Sequence, residues 1–409
     1  MKYDVAVIGG GPAGMMVAGR AGELGARVIL IEKNKNLGIK LLSTGKERCN
    51  ITNKTDDHRE MISKYGKNGK FLFSALHNFG VTDIIDFFES RGVKIKVERG
   101  NRVFPQSDKS RDALGALINY LKEGRVEVMT NTSVKNIIKK DNKIEKIILK
   151  KSEEIIANKF VICTGGKSYP KTGSTGDGYK WLKEFGHTVV EPRPALTPII
   201  CKEKFIKKLE GLSLKNVEIS IFKSNKKIDS RFGEALFTGN GMSGPIILDM
   251  SKKIGENLPG LKLQVDFKPA LDFKKLDERI QRDFEKGSNK MFKTILDDLL
   301  PQKMIPVFLD ILKIDETKKV NLISREERKR LAHLLKEFSL EIKELVGFAK
   351  AIITVGGVVL GEVDPKTMKS RLVDNLYFAG EILDIDGPTG GYNLQVCWST
   401  GYVAGESVV

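Results

Sequence analysis

A glycine-rich turn near the N-terminus, Val5 to Gly14, reading VAVIGGGPAG, constrains the fold of this chain more than any other feature. The apolar run Tyr3 to Ile8 leads into Gly9, Gly11 and Gly14, and Met15 to Leu24 then has helical composition. Gly25 closes that helix, and Arg27 to Ile31 is a second short apolar strand ending at Glu32. Strand, tight turn, helix and strand make a βαβ unit, the opening half of a doubly wound parallel sheet. In the spacing G-x-G-x-x-G each glycine has a task. Gly9 permits the turn, Gly11 leaves bare backbone for a pyrophosphate, and Gly14 lets helix and strand pack closely. Pro12 and Ala13 open the helix, whose N-terminal amides favour negative charge. Glu32, followed by Lys33, is placed to accept a hydrogen bond from a ribose 2′-hydroxyl, which favours FAD or NAD over NADP.

A second cluster lies at the far end of the chain, Tyr377 to Gln395, reading YFAGEILDIDGPTGGYNLQ. Gly380 and Glu381 follow the apolar strand Leu376 to Phe378. Gly390, Gly391, Tyr392 and Asn393 then lead into a helix from Leu394 to Ala404. Helix N-terminal amides there suit the negative charge of a reduced flavin ring, and Glu381 and Asp384 suit ribityl hydroxyls. An NAD dehydrogenase needs no such second cluster, so the two ends together point to FAD. Between them, KLLSTGKERCNITN (Lys40 to Asn53) is small and polar, with Lys40, Leu41, Thr44, Arg48, Cys49 and Asn50 as candidate flavin contacts. Arg48 suits a phosphate or a substrate anion. Cys49 is a candidate proton donor or redox partner, with a packed small residue as the alternative. Thr164, Gly165 and Gly166 end a further strand and offer backbone to the ligand, and Val134 completes the cofactor set. Tyr169 is a candidate acid, or else a structural loop tyrosine. The four histidines and four cysteines show no metal-ligand spacing, so no metal site is expected.

Residues 71–92 read as helix, as does Ser110 to Leu121, with strands at Val93 to Val97 and Val126 to Met129. Asn136 to Ile156 alternates with period two around Asp141-Asn142-Lys143 and reads as a hairpin feeding a strand Phe160 to Thr164. At Glu191 the character changes: EPRPALTP reads as a linker. Strands follow at Leu214 to Phe222 and Leu261 to Phe267, separated by a glycine-rich loop, and 272–336 reads as charged amphipathic helices. From Ala351 the glycine-rich β character resumes. The expected organisation is a cofactor domain in two parts, 1–190 and 346–409. An insertion, 191–345, lies between them, β-rich over about 191–270 and helical over about 271–336.

With 69 Lys plus Arg against 52 Asp plus Glu, the net charge is +17, which suits nucleic acid or anionic substrates. The alternative is lysines spread over wet faces, as in KNIIKKDNKIEKIILKK (Lys135 to Lys151). No apolar run is long enough to span a bilayer, and the N-terminus does not read as a signal peptide. Reduced cysteines, no membrane and no obligate protein partner make the cytoplasm the expected location.

The stretches GGGPAG, KLLSTGKERCNITN, CTGGKSYPKTGSTGDGY, GEALFTGNGMSGPIIL and AIITVGG to GYVAG together resemble the YhiN/BaiN-like (aminoacetone-oxidase-like) NAD(P)/FAD-dependent oxidoreductases. The resemblance covers nearly the whole chain. It implies an α/β fold, a Rossmann-like FAD-binding domain of the glutathione-reductase-like type interrupted by an inserted β-plus-helical domain. It also implies reduction of an activated C=C bond with NAD(P)H as transient hydride donor, since no second glycine fingerprint is present. The expected substrate is a small enone. The alternatives are uridine in ribosomal RNA, giving dihydrouridine, and a flavin-bearing RNA-binding or assembly protein with little turnover. For RNA, Lys202 to Lys208 and Lys223 to Lys227 of the insertion would hold the backbone. Two departures from the family pattern stand out. Glu47 takes the place of a glycine, and Leu236-Phe237-Thr238-Gly239 lacks the histidine of the relatives' LFTH, so no role passes to that position.

Overall fold

The strand Lys2–Ile8 is the axis of a parallel sheet, and its second half is buried on both faces, as a strand covered by helices requires. On one side it pairs with Val28–Ile31, which pairs in turn with Glu127–Met129. On the other it pairs with Glu154–Ile162, and the late strand Leu376–Phe378 adds in parallel to Phe160–Ile162. These five strands run the same way, so their carboxyl ends lie along one edge of the sheet. The computed structural model describes residues 2–55 and 57–409. Met1 and Asp56, both within the expected 1–190 segment, lie outside the described residues.

Four elements differ from the sequence expectation, three of them in or beside this sheet domain. The hairpin and the strand Phe160 to Thr164 are joined: Glu154–Ile162 is one continuous strand. Its first residues pair antiparallel with Lys143–Leu149, and its last residues serve the parallel sheet. The helix over 71–92 is instead a 3₁₀ segment Gly66–Leu72 followed by helices Phe73–Asn78 and Val81–Ser90. It breaks at Gly80, where the Asp83 carboxylate accepts from the Gly80 amide at 2.7 Å and starts a new helix. The proline-rich EPRPALTP is not a free linker either. Val189–Ala195 is a strand paired with Ile353–Val358, a two-stranded ladder in which its prolines are tolerated.

The glycine-turn helix runs Pro12–Glu23, with proline in its first turn where no donor is needed. It packs on the C-terminal helix Tyr392–Ser407. A Cβ on Gly401 would stand 2.9 Å from the Ala13 carbonyl, and one on Gly405 would stand 2.7 Å from the Arg20 Cβ, so only glycine allows this separation. Trp398 of the same helix is fully buried, and its indole donates to the Ile51 carbonyl at 2.9 Å.

The chain divides into two compact units, Met1–Pro194 with Phe348–Val409, and Ala195–Gly347. The second holds a closed six-stranded barrel, in the order Ile199–Cys201, Gly241–Ser243, Lys226–Thr238, Ser213–Lys223, Leu261–Asp266, Phe338–Leu345. Lys226–Thr238, KKIDSRFGEALFT, is barely apolar, yet it is a strand where a loop was expected. Its outer face is wet, and the ladder to Ser213–Lys223 supplies its stability. Phe308 and Phe338 stack with centroids 5.7 Å apart, and Phe267 stands edge-on to both. Among the described residues no helix is long and apolar enough to cross a membrane.

Phe338 is 1% exposed, so Phe338→Ala leaves a cavity in this aromatic group. The variant is expected to lose about 3–5 kcal/mol of stability, read as a shift in the urea midpoint of the unfolding transition that includes the barrel.

Candidate functional site

At the carboxyl edge of the parallel sheet the strand ends enclose a cavity of about 600 Å³, lined wholly by the unit 1–194 plus 348–409. Such volumes suit cofactors and small ligands. The glycine turn forms one wall. Gly9 has φ +108°, and a Cβ there would stand 2.5 Å from the Cys163 carbonyl; a Cβ on Gly14 would strike the Gly9 carbonyl. At Gly11 the same atom would meet nothing within 4 Å. The first and third glycines therefore serve packing, and the second opens bare backbone to the cavity.

Glu32 lines the same wall and is buried. One carboxylate oxygen accepts from the Gly10 amide at 2.7 Å and the other from the Asn34 amide at 2.8 Å, so this side chain also fixes the turn. Next to it, Lys33 reaches across to Asp177 at 2.6 Å and to the Thr175 hydroxyl at 2.5 Å, while the Asn34 amide donates to the Thr172 carbonyl at 3.0 Å. Burial opposes charge on Asp177, but the hydrogen bonds from Lys33 and Thr175 outweigh it and hold the carboxyl below its usual range.

A second polar group stands where four distant segments meet. The Lys40 ammonium donates to Glu381 at 2.7 Å and to the buried Ser168 hydroxyl at 2.8 Å. The other Glu381 oxygen accepts from the Thr354 amide at 2.7 Å and from Ser168 at 3.1 Å. Lys40 and Glu381 both line the cavity. So do Asn393 and Leu394, in the first turn of the C-terminal helix, whose cap Gly391 has φ +102°. Thr164 also lines the cavity, but its hydroxyl is buried against Gly178, with no partner among the described residues.

Of the residues singled out in the sequence, Pro12, Ala13, Leu41 and Thr44 line the cavity beside Gly9, Gly11, Glu32, Lys33 and Lys40. Val134, Thr164, Gly165, Glu381, Asn393 and Leu394 line it as well. Gly14, Gly166, Gly380, Gly390, Gly391 and Tyr392 do not. Gly166 packs on Thr354, Gly391 on the Thr52 backbone, and Tyr392 through its carbonyl on Tyr65. Asp384 binds Asn68 through its carbonyl at 2.6 Å rather than facing the cavity. Arg48, expected at a phosphate or substrate anion, instead pairs with Glu98 at 2.8 Å and Asp108 at 3.2 Å and stacks over Phe104. Asn50 is likewise outside the lining, its side-chain carbonyl buried without a partner among the described residues. Cys49 is fully buried, and burial pushes its thiol up to about 12, so the structure does not bring it to the cavity as a proton donor. Tyr169, with φ +53°, shapes a loop and stays outside the lining. Sequence reasoning passed over Asn34, Asp177, Ile352 and Ile353, which do line it. Asp177 lies within the quoted GSTGDGY and the isoleucines within AIITVGG, but nothing in their residue type marks them as ligand contacts.

Residues 3–407 match the model of the HI0933-like protein Rossmann domain. The chain belongs to this family. A 3-dehydro-bile acid delta(4,6)-reductase of Clostridium scindens is 30% identical over 408 residues, 98% of each chain. A ribosomal RNA dihydrouridine synthase of Haemophilus influenzae is 29% identical over 406 residues, 98% of this chain and 97% of that one. The solved 3-ketosteroid delta1-dehydrogenase of Sterolibacterium denitrificans superposes with a TM-score of 0.55 at 13% identity, over 100% of this chain and 99% of the other, a likeness of fold. The fold is that of Rossmann-like FAD-binding oxidoreductases, carrying an inserted β domain.

With its thiol buried and held protonated, Cys49 is expected to resist iodoacetamide at pH 8 in the native protein and to react once the chain is unfolded. Peptide mapping by mass spectrometry checks this, and modification of native Cys49 at the rate of a free thiol would return it to the list of candidate catalysts.

Proposed function

We propose that this oxidoreductase holds FAD in the cavity and reduces a C=C bond conjugated to a carbonyl, with uracil in ribosomal RNA as the favoured substrate. The observation that carries the cofactor assignment is the cavity itself. It is bounded by the open backbone at Gly11 on one wall and by the first turn of the C-terminal helix, Asn393 and Leu394, on another. The backbone N–H groups of Gly11 and Ala13 would hold the pyrophosphate, and Glu32 has lone pairs left for the adenosine ribose. Lys40 and Glu381 would meet the ribityl chain and ring. The helix N-terminus at Asn393 favours the negative charge of a reduced ring. FAD, when bound, supplies the hydride chemistry; the protein orients it, excludes water and places charge. Reducing equivalents would come from NAD(P)H visiting transiently.

Two observations favour RNA. The net charge is +17, and relatives of near full-length match are ribosomal RNA dihydrouridine synthases. The C5=C6 bond of uracil is conjugated to its C4 carbonyl, so the reaction is that of an enone, provided the base is unstacked. A ribosomal substrate implies a cytoplasmic enzyme. A small free enone is the second reading, favoured by the 30% identity to a bile acid reductase.

The purified protein is expected to be yellow and to release FAD on denaturation. Gly11→Leu should fold, by circular dichroism, yet lose the colour, because its side chain fills the space left for the pyrophosphate. Nucleoside mass spectrometry of ribosomal RNA from parent and deletion strains then separates the substrates. Loss of dihydrouridine supports the RNA reading, and an unchanged level transfers the proposal to the small enone.

A further inference from the structure

Lys202 to Lys208 and Lys223 to Lys227, expected to hold RNA, are largely engaged already. Lys202 pairs with Glu341 at 2.9 Å, Lys208 with Asp310 at 3.2 Å, and Lys227 with Glu218 at 3.6 Å. Lys223 donates to the Asn257 carbonyl at 2.6 Å. Carboxylates meet the charge of three of these seven lysines.

A different surface has the opposite character. The segment Gly66–Leu72 is a 3₁₀ helix, and Phe73 opens the helix that continues it. A 3₁₀ helix has three residues per turn, so every third residue shares a face. Gly69 and Leu72 are buried. Gly69 sits so close to the Ile62 carbonyl that a Cβ there would collide with it, which fixes this face inward. Lys67 and Lys70 therefore share an outward face, and the same spacing of three extends it to Phe73, while Gly66 with φ +60° breaks the helical path before Lys67; all three side chains are exposed. Phe73 is 60% exposed. Lys64 has an ion pair with Glu60 at 3.3 Å; among the described residues Lys67 and Lys70 have none. Successive lysines are spaced by about 6 Å along the axis, comparable with the step between phosphates of an extended single strand.

The segment is tied to the cavity wall. Asn68 donates to the Asp384 carbonyl at 2.6 Å, and the Tyr65 hydroxyl donates to the Tyr392 carbonyl at 2.9 Å. Ile385 and Asn393, the residues that follow those two carbonyls, line the cavity. We infer that Lys67, Lys70 and Phe73 form a docking strip for single-stranded RNA, with two phosphates on the lysines and one base stacked on Phe73. Such a combination of a basic track and an aromatic platform binds single strands without reading their sequence. A strand held there lies beside the wall that carries Asn393, so a neighbouring uracil can turn into the cavity. This inference rests on the RNA reading above.

The test uses the flavin-loaded full-length protein and a fluorescein-labelled, uracil-containing single-stranded RNA, with anisotropy titrations at several salt concentrations. Each phosphate contact to a single strand contributes about 0.7 to the slope of log affinity against log salt, so K67A/K70A should flatten that slope by about 1.4. Phe73→Ala should weaken binding about fivefold or more with the slope unchanged, and Phe73→Trp should restore it. Lys223→Ala with Lys227→Ala should leave both quantities as in the parent. Retained flavin absorbance and circular dichroism confirm that each variant is folded. If the parent binds RNA and the double lysine variant keeps its slope and affinity, the strip is wrong while the RNA reading stands. If the parent fails to bind even at low salt, both fall together. Equal competition by duplex RNA of the same length overturns the single-strand assignment.

Discussion

The parallel pairing of Leu376–Phe378 with Phe160–Ile162 is the contact on which the site depends. It carries the last twelfth or so of the chain to the carboxyl edge of a sheet whose axis is the first strand. Gly380 and Glu381 then emerge beside the Cys163–Gly165 turn and across from Gly9. The register permits no slip by one residue, because each of these short strands is buried on both faces and a shift would turn the following loop the wrong way. The glycines at 401 and 405 complete the arrangement by letting the C-terminal helix lie against the glycine-turn helix. The first turn of that helix is thereby held at the cavity.

Two carboxylates then hold the cavity's shape. Glu32 accepts two backbone amides of the turn and its neighbour, and Glu381 accepts a backbone amide, a hydroxyl and an ammonium from three other segments. A buried charge is costly unless it is met by donors, so each carboxylate forces its partners into place. Residues chosen for a ligand are thus also structural, and the site is built largely before any ligand arrives. The pair Lys33 and Asp177 adds a similar bridge at the cavity's edge, from the end of the second strand to the loop after Gly165.

The loop after Lys40 shows why part of the site was not legible. Its composition suggests a ring-facing loop, and Lys40, Leu41 and Thr44 do line the cavity. The helix is then interrupted at Thr44, Gly45 and Lys46, and Glu47 and Cys49 also have positive φ. A Cβ on Gly45 would come within 2.8 Å of the Asn50 amide, so the chain doubles back tightly there. That reversal turns Arg48 towards Glu98 and Asp108 and sinks Cys49 into the core. Residue type indicates what chemistry a side chain can do; which way it faces follows from backbone angles that composition does not encode. The same limit explains Lys226–Thr238, whose strand character comes from its partners and not from its own residues.

By itself, the sequence determined the glycine turn, the strand and helix on either side of it, and the acidic residue that follows the second strand. Those are local, since a turn, a period and a cap are each set within a few residues. It also marked both ends of the chain as glycine-rich ligand-binding segments. Only the tertiary structure decided that Lys40, Ser168, Thr354 and Glu381 form one network, that Cys49 and Arg48 stand apart from the cavity, and that Lys67 and Lys70 face water together. Those outcomes depend on pairing between strands hundreds of residues apart and on a local helix with a period of three. The free energy that selects them comes from burying whole faces, which no single stretch of residues contains.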